Sequence, residues 1–422
     1  MPTRTCRAPL AARRCPPNPL DRYLMARAAK IDSARRGVKF AAGPRAFLLL
    51  GLAALPSLAS CTYQGRPAPT DAGLYWPTYL GNAARAPFLR ERVSDELPGI
   101  VWSSRVGSGI QGMPVVTDEA IIAASSDRYI HTLSRQDGST FWRKRVDGLP
   151  VSPMVVGEVI YTATTTKSKL RSLRITDGDN VWNRRFPAVS VPLSLVGDTV
   201  YAATEDAHLF AVTRMEQPLW STRLSRRASA GPLVLEDWVA YVSLDSLFLL
   251  ERASGRRRAA AYSPEVFAGE AASDGEKVYL ATEQGSLLAW RTPDLELVWQ
   301  TSGFGSFHSG PVLAGNDGYA VTRTGEVVRF DADVGSAQII ARTREATMAP
   351  PTVVQNGLLV GTLAGRLHFF SRNGEPIWDV QMEGSIEAPV FVHGGRITVP
   401  MYGRIGGPLG TRPSRGKVVE LR

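Results

Sequence analysis

Past position 61 the chain contains no cysteine; its three lie at positions 6, 15 and 61. No disulfide can staple the bulk of the fold, so stability has to come from burial. Histidine is scarce as well: His131, His208, His308, His368 and His393 stand far apart, with no pair at metal-ligand spacing. No Gly-x-Ser-x-Gly elbow and no phosphate loop occurs in a strand-to-helix context. The leading apolar run, residues 46–55, is too short to cross a bilayer as a helix. Nor is there a surplus of positive charge in most of the chain. The formal net charge is +10, but residues 1–60 hold 11 basic and 2 acidic residues, leaving 38 and 37 for the rest. The high isoelectric point is a property of the leader and gives no argument for nucleic acid.

That leader is a targeting segment. Arg27, Lys30, Arg35, Arg36 and Lys39 precede the apolar run, which fits the h-region of a signal peptide. Leu58-Ala59-Ser60-Cys61 follows. Small residues before a cysteine at the end of an h-region resemble the lipobox of bacterial lipoproteins, which implies that Cys61 is lipidated and begins the mature chain. The bland alternative is ordinary signal cleavage beside an incidental cysteine. Residues 1–60 are thus expected to be a lipoprotein signal peptide, with Met25 the better-placed start. Residues 61–75, polar with Pro and Gly, read as a flexible tether.

From residue 76 onward the sequence repeats. Pro recurs at 114, 153, 192, 232, 311, 351 and 389, in steps of 39, 39, 40, 79, 40 and 38. The double step places a missing Pro near residues 268–271. Trp keeps the same beat at Trp102, Trp142, Trp182, Trp220, Trp299 and Trp378. Two units keep the length without the Trp, near residues 258–260 and at 339–340. Within one unit, residues 191–220, four short runs rich in β-branched and aromatic residues are separated by turn residues, with Trp220 expected to end the fourth. Four antiparallel strands per 40 residues is the pattern of a β-propeller blade, which cannot cover its own faces and must stack.

The count is eight, so the chain is expected to be all-β, an eight-bladed β-propeller over residues 76–422. The last unit begins at Pro389 and stops without its Trp strand, while Trp102 precedes the first Pro. Residues 99–106 should therefore supply the missing outer strand of the last blade and close the ring.

A resemblance to a known family rests on specific residues. Trp76, Pro77, Tyr79, Gly81 and Asn82, then Asp137-Gly138-Ser139-Thr140-Phe141-Trp142 and Asp177-Gly178-Asp179-Asn180-Val181-Trp182, resemble proteins with pyrroloquinoline-quinone-like repeats, and the whole resembles the BamB-like outer-membrane lipoproteins. The resemblance implies a monomeric ring on a lipid anchor at the periplasmic face of the outer membrane. Its partners would be envelope proteins, among them the β-barrel assembly machinery, with no nucleic acid and no cofactor. The rival implied by the same repeats is a quinoprotein dehydrogenase or a ligand-sensing propeller. Such enzymes bind quinone and Ca²⁺ in the axial channel and often hold the quinone over a disulfide of adjacent cysteines, which this chain cannot form.

Two sets of residues stand out as candidates for binding. Arg105, Arg145, Arg185 and Arg223 each follow a repeat Trp by three residues, an odd offset that puts them across the strand from it. They form either a basic arc or a charged protection of exposed strand edges. The last unit carries a long Gly- and Pro-rich loop containing Arg404, Arg412 and Arg415, where sister units turn in a few residues. The repeat Trp residues, and Trp238 and Trp290 off the beat, read as core, a large ring that needs a partner only for its N–H.

Overall fold

Seven of the units each fold into one four-stranded antiparallel sheet because their four short β-prone runs are joined by turns of a few residues. The computed structural model describes residues 91–110, 112–403 and 416–422. Among them there are thirty-two strands and no helix, arranged as eight sheets. We number the blades in chain order and letter the strands A to D from the axis outward. Blade 1 spans 115–145, blade 2 154–185, blade 3 194–223 and blade 4 233–262. Blade 5 spans 267–301, blade 6 312–342 and blade 7 352–381. Blade 8 takes strands A to C from 391–421 and strand D from Ile100–Val106.

The closure expected from the sequence is therefore present. Ile100–Val106 pairs antiparallel with Gly416–Leu421, in a register that sets Ser103 against Val419 and Arg105 against Lys417. Where an ordinary blade has its C–D turn, blade 8 brings Gly99 and Arg422 side by side: Gly99 N donates to Arg422 O at 2.8 Å and Arg422 N to Gly99 O at 3.0 Å.

The core lies between blades. Tyr201, Leu209 and Trp220 of blade 3 pack with Tyr241, Phe248 and Leu250 of blade 4; the same alternation links blades 4 and 5 through Leu249, Phe267 and Trp290. Phe248, Tyr279 and Phe330 are fully buried. Truncating an aromatic side chain at such a site costs about 3–5 kcal/mol, so neighbouring blades hold one another. Trp290 is buried as expected, and Trp238 is partly buried against the same cluster.

Three details differ from, or sharpen, the sequence reading. Trp220 stands in the middle of its strand, Pro218–Arg223, rather than at its end, because the strand runs on to pair with His208. Ala271 occupies the place of the missing Pro; there strand A carries an irregularity with Gly269 at φ 63°. The strand D positions without Trp are Ala259 in blade 4 and, in blade 6, Ile340, which packs toward blade 7 and lies under Gly374.

Candidate functional site

Every repeat Trp bonds to the next blade. The indole N–H of Trp102 donates to Arg135 O at 3.2 Å, Trp142 to Ile175 O at 2.8 Å and Trp182 to Arg214 O at 3.0 Å. Trp220 donates to Arg252 O at 2.9 Å, Trp299 to Ala332 O at 3.1 Å and Trp378 to Ser94 O at 2.9 Å. All six carbonyls belong to C–D turns or, for Ser94, to the segment that stands in for one. The indole faces rest on the same turns. Gly138, at φ 72°, lies so close under Trp102 that an added Cβ would stand 2.5 Å from its ring; Gly178, Gly255 and Gly335 sit likewise under Trp142, Trp220 and Trp299. This is the physical reason for the Gly-x-x-x-Trp ending: the Gly serves the previous blade and the Trp serves the next. Trp220 and Trp378 are buried, while Trp102, Trp142, Trp182 and Trp299 are half-buried latches at the outer wall.

Blade 4 lacks this latch because Ala259 replaces the Trp. Leu295 of the following blade, at φ 57°, is buried in the cluster against which Ala259 packs. A large side chain from the other partner thus occupies the joint.

The joint between blades 8 and 1 holds buried charge, which the sequence reading missed. Glu420 is fully buried, with Oε1 3.6 Å from Arg135 Nε, and Thr398 donates its hydroxyl to Oε2 at 2.6 Å. Arg135 also donates to His393 O at 2.6 Å. Burial pushes the Glu420 carboxyl above its usual range, against the opposing pull of Thr398 and Arg135. His393 lies between Glu91, at 3.0 Å, and Asp118, at 3.4 Å. No periodicity marks these residues, since the pairing exists only once blade 8 meets blade 1.

The remaining histidines do not converge. His131 pairs with Asp127 at 3.3 Å in blade 1, and burial holds its pKa below the ordinary value. His208 stands beside Asp206 in blade 3, and burial lowers His308 and His368 in other parts of the ring. Among the described residues no group of three or more His, Cys, Asp or Glu is placed to hold a metal ion.

The binding candidates fare differently. Arg145, Arg185 and Arg223 end the outer strands of blades 1, 2 and 3, and Arg105 stands one residue before the end of the outer strand of blade 8. All four are exposed, and none makes an ion pair or hydrogen bond through its side chain with any described residue. Arg145 stands opposite Tyr129 and Arg223 opposite His208, so the row follows one end of the ring. Each outer strand also carries a bulge at the residue before its Trp: Val101, Phe141, Val181 and Leu219 in these same blades. Sequence reading missed them, although the apolar residue beside each Trp was visible. Arg404, Arg412 and Arg415 lie outside the described residues, as do Cys61 and the tether.

Comparison with known proteins fits this architecture. The family model described as outer membrane protein assembly factor BamB matches residues 98–261 and 258–353. The outer membrane protein assembly factor BamB of Bordetella pertussis is 32% identical over 114 residues, a stretch that covers 26% of this chain and 28% of that relative. The crystal structure of BamB from Moraxella catarrhalis superposes with a TM-score of 0.62 at 17% identity, covering 78% of this chain and 98% of that one. Quinohemoprotein alcohol dehydrogenase from Comamonas testosteroni gives 0.62 at 11% identity, covering 82% and 80%. At such identities the superpositions speak for fold alone. With two overlapping matches that together span more than half its length, the chain belongs to the family of outer membrane protein assembly factor BamB.

Proposed function

We propose that this protein is a non-catalytic, lipid-anchored scaffold at the periplasmic face of the outer membrane, acting with the β-barrel assembly machinery in outer-membrane protein assembly. The observation that carries the proposal is the family match laid over eight four-stranded blades. A ring held by repeated latches offers a rigid wall and two loop-bearing ends, which suits holding other proteins in register. The Cys61 lipobox and polar tether would keep that ring near the membrane, and multiple acyl chains give a firm anchor.

A quinoprotein dehydrogenase shares the fold. Against it stand the lack of any cysteine after position 61 and, among the described residues, histidines and carboxylates that are dispersed rather than gathered. Deleting the gene and measuring outer-membrane porin levels tests the scaffold reading. A porin deficit restored by the intact gene supports it. Normal porin levels, together with a quinone spectrum and dye-linked alcohol oxidation on adding pyrroloquinoline quinone and Ca²⁺, would overturn it in favour of the enzyme.

A further inference from the structure

The outer wall of blades 8, 1, 2 and 3 repeats one chemical pattern. At its bulge each outer strand exposes an apolar side chain: Val101 is 45% exposed, Phe141 56%, Val181 53% and Leu219 54%. Four residues later, at or next to the end of the strand, each carries an exposed Arg with no partner among the described residues. The other blades break the pattern. Blade 4 has Arg258 and Tyr262, blade 5 Val298 and Ser302, and blade 7 Ile377 and Gln381 at the corresponding places. In blade 6 the terminal Arg342 is paired with Glu326 at 3.3 Å.

We infer that this half of the wall docks a polypeptide partner presenting apolar side chains beside a row of carboxylates; the inference deepens the scaffold reading and rests on it. Charge complementarity is the main argument. Residues 61–422 are close to neutral, yet four guanidinium groups in succession are left uncompensated by the described residues along one end. Arg128 and Lys167, in the adjoining B–C turns of blades 1 and 2, are exposed and lack such a partner as well. Edge protection alone accounts for the Arg residues but not for exposed apolar side chains at every bulge beside them. Four strand residues separate the apolar from the basic row, about 13 Å along the wall. A flat anionic lipid surface resting on the Arg-bearing end would not reach the apolar row. Phe141 also lines a cleft of about 440 Å³ with Asp118, Gln136 and Arg396, where an inserted side chain could seat.

The test uses the full chain in its own cells, with a benzoylphenylalanine photo-crosslinker at Phe141 or Val181 and a control at exposed Gln338 of blade 6. The expected adducts at Phe141 and Val181 map to a polypeptide segment that mixes apolar residues with Asp or Glu. They should fall about five-fold or more in Arg145→Glu with Arg185→Glu, and persist in Arg145→Lys with Arg185→Lys, which separates charge from folding. No adduct, adducts to lipid or to a second copy of this chain, equal adducts at Gln338, or indifference to charge reversal would each overturn the inference. Acidic adducts together with normal porin levels on gene deletion would reject the assembly reading and leave the surface standing; a porin deficit without adducts would reject the surface alone.

Discussion

The indole N–H of Trp378 donates to the backbone carbonyl of Ser94, 2.9 Å away across 284 residues of chain. In the other latched joints the acceptor lies 32 or 33 residues after the Trp, inside a C–D turn. Blade 8 has no such turn, so the segment before its borrowed strand supplies the carbonyl. The same segment is pinned to blade 7, where Asn356 Nδ2 donates to Val93 O at 2.9 Å and Gln355 N to Glu91 O at 2.9 Å. Ring closure thus reproduces an ordinary joint from two distant pieces of chain.

Replacing one latch should weaken the ring by a measurable but modest amount. Trp142→Phe keeps most of the apolar contact and removes the bond to Ile175 O. Its expected cost is about 1 kcal/mol, that of losing one hydrogen bond to a partly buried carbonyl. Trp142→Ala should cost about 3–5 kcal/mol. Urea titration of the two variants checks the order; a Trp142→Phe variant as stable as the parent would show that the hydrogen bond is idle, and equal losses in the two variants would show that the packing is.

Two glycines with the same backbone hand should respond differently to alanine. Gly197, at φ 57°, has open space where a Cβ would go, so Gly197→Ala should cost only the backbone strain, about 1 kcal/mol. Gly138→Ala adds a collision with Trp102 and should cost clearly more, since either the ring or the turn must shift. Thermal unfolding of the pair would contradict the packing if the two fell by the same amount.

Glu420 should make stability fall as pH rises. Its folded pKa lies above the unfolded one, so between the two the native state holds the extra proton. Its contribution is fully present below the ordinary carboxyl value of 4.5 and is lost as pH rises through the folded pKa. Glu420→Gln mimics the protonated form. Its stability relative to the parent should be near parity around pH 4 and should improve toward neutral pH. The limiting slope is about 1.4 kcal/mol per pH unit while the pH lies between the unfolded and folded pKa values. Carboxylates such as Asp147, held low chiefly by the Arg171 hydrogen bond, act oppositely in both proteins and cancel in the comparison. A stability difference that does not change with pH would refute the assignment.

Cys61→Ser should abolish labelling by palmitate and move the protein from membrane to soluble fractions, because the acyl chains on that residue would be its anchor. Retention of the variant with membranes would contradict a lipid anchor at that position.

The fold was legible because a propeller repeats its instructions: Pro at the start of strand A, Trp in strand D, and a turn between. The Trp102 strand could be assigned to blade 8 from counting alone. What escaped notice is what occurs only once or depends on neighbours. Glu420 and Arg135 meet because blade 8 closes onto blade 1, and Leu295 fills a joint only because Ala259 left it open. The exposure of Phe141 follows from a bulge, which alternation along a strand does not reveal. Arg145 was visible as part of a series, but its lack of a partner among the described residues is a property of the folded ring.

The central claim, a ring closed by its own front strand, is tested most directly by a cystine across the seam. Arg105 and Lys417 are direct partners on neighbouring strands, and the described residues contain no native cysteine. With both replaced by Cys under oxidising conditions, the expected result is an intrachain disulfide joining these positions in the monomer, seen in the peptide map, with a raised unfolding midpoint. Free thiols throughout, or disulfide-linked dimers in place of the internal bridge, would contradict a closed ring.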